Sequence, residues 1–190
     1  MRRIKFLAVA VVAALCMSVV AVASASAHEF VASKAGKTKS TALTTQVFNT
    51  GAGEVTCTKL SGKGEVTEAE LKSETHKETV SYSGCTAFGF VKVKITAAKY
   101  DFNANGTVLL ENEVTITPEG ANCTVKVTKG QNLSAVSFAN EAGKIKEISE
   151  VTGIHSVSSG GACGEKGEHT NGTYKGTAST ELEGGTIEWK

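Results

Sequence analysis

Past residue 27, apolar and polar residues alternate in short bursts, the period-two signature of half-buried strands. The clearest stretch is "GFVKVKITAAKYDF". Val91, Val93, Ile95 and Ala97 share one face, and Lys92, Lys94 and Thr96 share the other. The next large residues, Tyr100 and Phe102, fall on even numbers. A one-residue slip exchanges the faces of a strand, so the pattern predicts a bulge at Ala98 or Lys99. Asn105-Gly106 follows, the favoured pair for a two-residue hairpin turn whose central residues both need positive φ. The next strand is expected over residues 107–110. Val114-Thr-Ile-Thr runs up to Pro118, which suits a strand end or edge. Further on, Cys123, Val125 and Val127 alternate with polar neighbours, and Val136 and Phe138 share a face.

Two hairpins are predicted from flanking turn residues. "TTQVFN" and "EVTCTKL" flank residues 50–53, and "TYKGTASTEL" and "TIEWK" flank Gly184-Gly185. Two stretches fit less cleanly. "EVTEAELKSETHKE" has helix formers but a single large apolar residue in its middle, Leu71, and reads as a solvated strand or loop. "KIKEISEVTGI" spaces Ile145, Ile148, Val151 and Ile154 by threes. Its β-branched residues and Gly153 favour a strand over a short helix. Many short strands with glycine-rich turns predict an all-β, single-domain antiparallel β-sandwich or Greek-key barrel. The expected organisation is a secretory signal over residues 1–27, a flexible arm over 28–42, and one all-β domain over 43–190.

The signal is read from Arg2, Arg3 and Lys5, then an almost wholly apolar run over residues 6–22, then a small-residue tail. Ala23, Ala25 and Ala27 each fit the position before a cut, and a cut after Ala27 makes His28 the new N-terminus. An uncleaved anchor is the alternative, since a membrane span needs about 20 residues. Cys16 does not make a lipoprotein signal, because Leu15 stands where a small residue is expected. With the leader gone, 17 lysines face 19 acids, a net charge of −2. No arginine remains, and Asp101 is the sole aspartate. This composition gives no electrostatic basis for binding nucleic acid or an anionic membrane, no aspartate dyad and no aspartate-rich calcium loop.

Four cysteines remain, Cys57, Cys85, Cys123 and Cys163, an even number that in an exported chain reads as two disulfides. Three connectivities exist. "EVTCTKLSGKG" and "GANCTVKVTKG" share a Cys-Thr in a strand-like run, while "TVSYSGC" and "SVSSGGAC" share a cysteine after an alternating run and a glycine. That alternation of types favours Cys57–Cys85 and Cys123–Cys163, and hints at an internal duplication.

Motifs for chemistry are sparse. The loop "CGEKGEHTNG" gathers Cys163, Glu165, Glu168 and His169, but without zinc-ligand spacing, so a disulfide with an exposed loop is expected. There is no G-x-S-x-G, and "HEFVA" is not H-E-x-x-H because Ala32 stands in the second histidine's place. No cofactor motif is found. Paired glutamates for glycoside hydrolysis remain open, although most glutamates should lie on the solvated face. His28 is the candidate metal ligand: an N-terminal amine and imidazole can chelate copper with a second histidine, His76, His155 or His169. In this one residue and the fold class, the chain resembles lytic polysaccharide monooxygenases and periplasmic copper carriers.

"GEVTCTKLSGKG", "YSGC", "GANCTVKV" and "GTYKGTAS" together resemble a loosely defined set of secreted, β-rich bacterial proteins with strand-borne cysteines. That resemblance spans residues 28–190 and implies no activity. The sequence thus leads to a bacterial protein, secreted or held in the cell envelope and not inserted in the membrane after cleavage. Its expected role is a non-catalytic binding or structural module for an extracellular or cell-surface ligand. A secreted copper- or glutamate-dependent enzyme is the alternative.

Overall fold

The computed structural model describes residues 27–190. The leader, with Cys16 and the candidate cut sites Ala23 and Ala25, lies outside the described residues; Ala27 is described and exposed. Strands dominate, as the alternation predicts, and among the described residues no helix is long and apolar enough to cross a membrane.

The wall of the molecule is best followed as eight staves. The first is β2 (Gly36–Ala42) and β3 (Gln46–Thr50) laid end to end. β4 (Gly53–Val66) pairs with both, Thr41 facing Ser61 and Phe48 facing Val55. β6 (Thr75–Ala87) pairs with β4, and β7 (Val91–Ile95) and β8 (Ala98–Asn103) share the other edge of β6. β9 (Val108–Leu110) and β10 (Val114–Pro118) form the fifth stave, pairing β8 and β7. The sixth is β11 (Thr124–Val127), β12 (Asn132–Leu133) and β13 (Val136–Glu141). β14 (Lys144–Ser159) pairs β11 and β13, and β15 (Gly167–Leu182) pairs β14. The outer edge of β15 then meets β2 and β3, with Thr180 opposite Ser40 and Tyr174 opposite Phe48. Every pairing is antiparallel. The fold is therefore all-β with opposed, sandwich-like walls, and the walls join at both edges into a closed circuit. Each stave pairs with the next along the chain, an up-and-down order rather than a Greek key.

A second sheet, in the order β16 (Ile187–Trp189), β1 (Phe30–Ala32), β5 (Lys72–Ser73), covers one end. Phe30 and Ile187 pack there with Val66, Phe102 and Leu182 from the stave ends. Between β4 and β5, Glu68–Glu70 forms a 3-10 turn.

Four expectations are corrected here. Residues 28–42 are not a flexible arm: β1 and β2 are paired strands, and Phe30, Thr38 and Ser40 are buried. Gly184-Gly185 does not close a hairpin, because β16 leaves β15 and pairs with β1, which lets Ile187 bury in the end cap. At Asn105-Gly106 only Gly106 has positive φ (86°). Asn105 instead accepts hydrogen bonds from Thr107 N at 3.1 Å and Thr107 Oγ1 at 2.8 Å, so the turn is the three-residue type with a glycine bulge. The stretch read as solvated contains buried Val66, His76 and Glu78. The hairpin at residues 50–53 forms as expected, and "KIKEISEVTGI" is strand.

The phase slip is real but wider than one bulge. Buried positions change from Val93 to Ala98, and in the neighbouring strands from Cys85 to Tyr82 and from Cys57 to Leu60. Cross-strand partners keep one register throughout: Cys57 faces Cys85, Leu60 faces Tyr82, Cys85 faces Val93 and Val80 faces Ala98. Three strands thus exchange faces at the same level. Gly84, at φ 62°, takes the left-handed conformation this requires in β6.

Both disulfides join the residues the sequence pairs. Cys57–Cys85 ties β4 to β6, and Cys123–Cys163 ties the start of β11 to the loop between β14 and β15. Loops closed over separations of 28 and 40 residues are worth up to about 3.5–4 kcal/mol each in the chain-entropy model. Alkylation under denaturing, non-reducing conditions should label none of these four cysteines. Replacing either pair by serines should lower the urea unfolding free energy by about 3 kcal/mol.

Candidate functional site

Closing the wall leaves a cavity of about 70 Å³ inside. A water needs about 10–15 Å³, and a cavity of about 150 Å³ takes a benzene, so this space is narrow. Its lining is aliphatic (Leu60, Val80, Leu110, Ile116, Val151) and aromatic (Phe48, Tyr82, Tyr100, Phe102, Tyr174), with Ser40, Glu78, Glu147, Ser149 and Ser156 among its polar groups. Among the described residues, no lysine, arginine or histidine lines it.

Glu78 comes from β6, where His76, Glu78, Val80 and Tyr82 point inward and Lys77, Thr79 and Ser81 point out. It is 4% exposed. Ser40 Oγ donates to its Oε1, Thr180 Oγ1 lies 2.6 Å from Ser40 Oγ, and His76 Nε2 stands 3.6 Å from the same carboxylate oxygen. Thr38 Oγ1 holds that imidazole nitrogen at 3.2 Å. Space for this cluster comes from β4: a Cβ on Gly62 would stand 2.5 Å from Glu78 Oε2, and one on Gly64 would stand 2.6 Å from Thr38 Oγ1. The "SGKG" of the sequence is therefore the seat of a buried acid, not the end of a strand.

Glu147 comes from β14, whose stave stands opposite β6 in the eight-stave circuit, so the two carboxyl groups approach from facing walls. Ser149 Oγ donates to Glu147 Oε1 at 3.1 Å. Burial, and then the charge of Glu78, push the Glu147 carboxyl from an ordinary 4.5 up to about 8, against the opposing pull of Ser149. At neutral pH it is largely a protonated acid. The tyrosines surround this pair. Tyr82 and Tyr100 hydroxyls lie 3.4 Å apart, and Phe48 packs edge-on to Tyr82 at 4.9 Å between ring centres. Tyr174 donates to Gln46 Oε1, and Gln46 is itself fixed by donation to Thr44 O at 2.6 Å. Burial raises all three phenols above their usual range.

The residues singled out from sequence lie elsewhere. His28 is exposed, stacked on Trp189 at 4.2 Å, with Nδ1 3.2 Å from Lys190 O. His155 is exposed, and His76 belongs to the Glu78 cluster. Among the described residues, no three His, Cys, Asp or Glu side chains gather into a metal-binding group. Cys163 is in its disulfide and Glu168 is exposed.

His169 makes an arrangement with the outline of a serine-hydrolase triad. Ser158 Oγ is 2.9 Å from His169 Nε2, and Glu165 Oε2 is 3.8 Å from Nδ1. The chemistry does not follow. Ser158 is 2% exposed and donates its proton to Glu165 O, so Nε2 must carry the hydrogen and cannot act as base. The ring also lies where a Cβ on Gly51 would be, so its role is to pin the "CGEKGEHTNG" loop to the β3–β4 turn.

Sequence spacing pointed away from Glu147, because Ile145, Ile148 and Val151 by threes drew attention. Period two is what holds: Ile145, Glu147, Ser149 and Val151 face in, and Ile148 is exposed. For Glu78 a signal existed, since the alternation of Val80 and Tyr82 extends back through it.

Glu147 has a stability consequence. Its folded-state pKa is raised, so the folded protein holds an extra proton between about pH 4.5 and 8. Stability contributed by this group is full below that window and falls as pH rises through it, by a few kcal/mol in total at about 1.4 kcal/mol per unit. Urea unfolding at pH 5, 6.5 and 8 should show that decline, and Glu147→Gln should flatten it.

Compared with family models, curated proteins and solved structures, the chain matches none.

Proposed function

We propose that this protein is an exported, non-catalytic binding module whose interior cavity receives a slender, mainly apolar ligand. The observation that carries the reading is a lined cavity holding an unanswered polar group. Ser156 is 3% exposed, lines the cavity, and its Oγ has no hydrogen-bond partner among the described residues. A buried hydroxyl left unpaired costs about 1–3 kcal/mol, which a ligand group removes. Few polar groups set in an apolar and aromatic wall are also the usual make-up of a small-molecule site. The leader-like residues 1–27 and two disulfides support a secreted or cell-envelope location.

One observation favours an enzyme instead: Glu78 and Glu147 enter the same cavity in unlike environments, the condition for an acid paired with a carboxylate. Most of the lining is aliphatic or aromatic, which would leave the many hydroxyls of a sugar ring without partners. The binding reading is therefore the stronger.

Calorimetry with 1-hexanol, n-hexylamine and hexanoate should find 1:1 binding of at least one. At a hundredfold excess over Kd, that ligand should stabilise the fold by about 2.7 kcal/mol. Ala178→Leu, which fills the space beside Glu147, should abolish binding while keeping the near-UV spectrum. If no probe binds the unaltered protein, the proposal fails.

A further inference from the structure

We infer that the ligand is an organic cation, an unbranched primary alkylammonium whose head lies between Glu78 and Glu147 and whose chain runs along the cavity towards Ser156. The inference rests on reading the cavity as a ligand site. Three observations lead to it.

The first is charge. Two carboxyl groups enter the cavity from opposite walls, and among the described residues no cationic side chain lines it. His76 stands behind Glu78, held by Thr38, rather than in the lining. Burying a charge without a partner is costly, and the interior leaves Glu147 with Ser149 as its hydrogen-bond partner among the described residues. An ammonium supplies what is missing: positive charge and up to three N–H donors for two carboxylates. An anionic ligand would stand against the charge of Glu78 and have no cation in the lining to meet it among the described residues.

The second is the aromatic surround. Phe48, Tyr82, Tyr100 and Tyr174 line the same cavity as the acid pair, and aromatic rings attract cations most strongly when water is excluded. A neutral ligand would use their apolar surface but not their faces.

The third is shape. Glu147 and Ser156 lie on one strand, about 30 Å apart along its path at about 3.3 Å per residue. A volume of about 70 Å³ serving both is drawn out thinly, which suits a straight chain and excludes a fused ring. Ser156 Oγ marks the far end as polar.

Pairing with the ammonium ionises Glu147, so its proton leaves to the solvent while the ligand keeps its own. The titratable groups facing Glu147 are Glu78, Tyr82, Tyr100 and Tyr174, with His76 behind Glu78. The test compares n-hexylamine with 1-hexanol, equal in chain and unlike in charge, by calorimetry at pH 7 in two buffers of different ionisation heat. The amine should bind at least tenfold more tightly than the alcohol and release nearly one proton per ligand. Glu147→Gln should abolish the release and weaken the amine at least tenfold, with 1-hexanol affected less; Glu78→Gln should also weaken the amine. Equal or tighter binding of 1-hexanol would overturn the cation inference while leaving the cavity as a ligand site. Binding of neither compound would overturn the cation inference, and failure of hexanoate as well would overturn the cavity as a ligand site. The comparison on the unaltered protein needs no variant to fold.

Discussion

The interior exists because β15 pairs on both sides. One edge meets β14, and the other meets β2 and β3. Without that second seam the eight staves would be an open, twisted sheet with exposed edges, open to pairing with other chains. With it, every stave has a neighbour on each side and the inward residues of facing staves share one enclosed space. Glu78 and Glu147 are far apart in sequence and on opposite sides of the circuit, and only closure puts them in the same cavity.

That arrangement works against stability. A well-packed barrel would fill its centre with aliphatic side chains. This one gives up positions to two acids, three tyrosines and several hydroxyls. It also uses Gly62 and Gly64, whose missing side chains make room for Glu78 and the Thr38–His76 contact. Polar groups placed inside at such cost are characteristic of sites rather than of cores. The two disulfides, the end cap and the aliphatic layers around Ile116 and Ile187 hold the fold around this expense.

Much of the wall was legible from residues alone, because alternation reports which side of a strand is buried. It marks the strand at residues 91–95, while β-branched content marks a strand over 144–154, turn residues the hairpin at 50–53, and the matched settings of the cysteines the disulfide pairing. Alternation does not report which strands oppose each other. The acid pair was therefore invisible, since Glu78 and Glu147 become partners only across the barrel. The same limit explains Gly184-Gly185: turn residues announce a change of direction but not the destination, and β16 goes to β1. Short strands such as Phe30–Ala32 carry too few residues for a period to show, so residues 28–42 read as an arm.

The end cap ties the two extremities of the described chain together. Glu29 N donates to Lys190 O at 2.8 Å and Lys190 N donates to Glu29 O at 2.9 Å, while β1 lies between β16 and β5. The seam and the cap thus both wait for residues beyond 167. Loop closure over most of the chain must precede them, so folding is slow and comes late in synthesis. Joining residue 190 to residue 28 by a short linker should leave the cap intact, making this fold a natural candidate for circular permutation with new ends at an exposed turn such as Gly89.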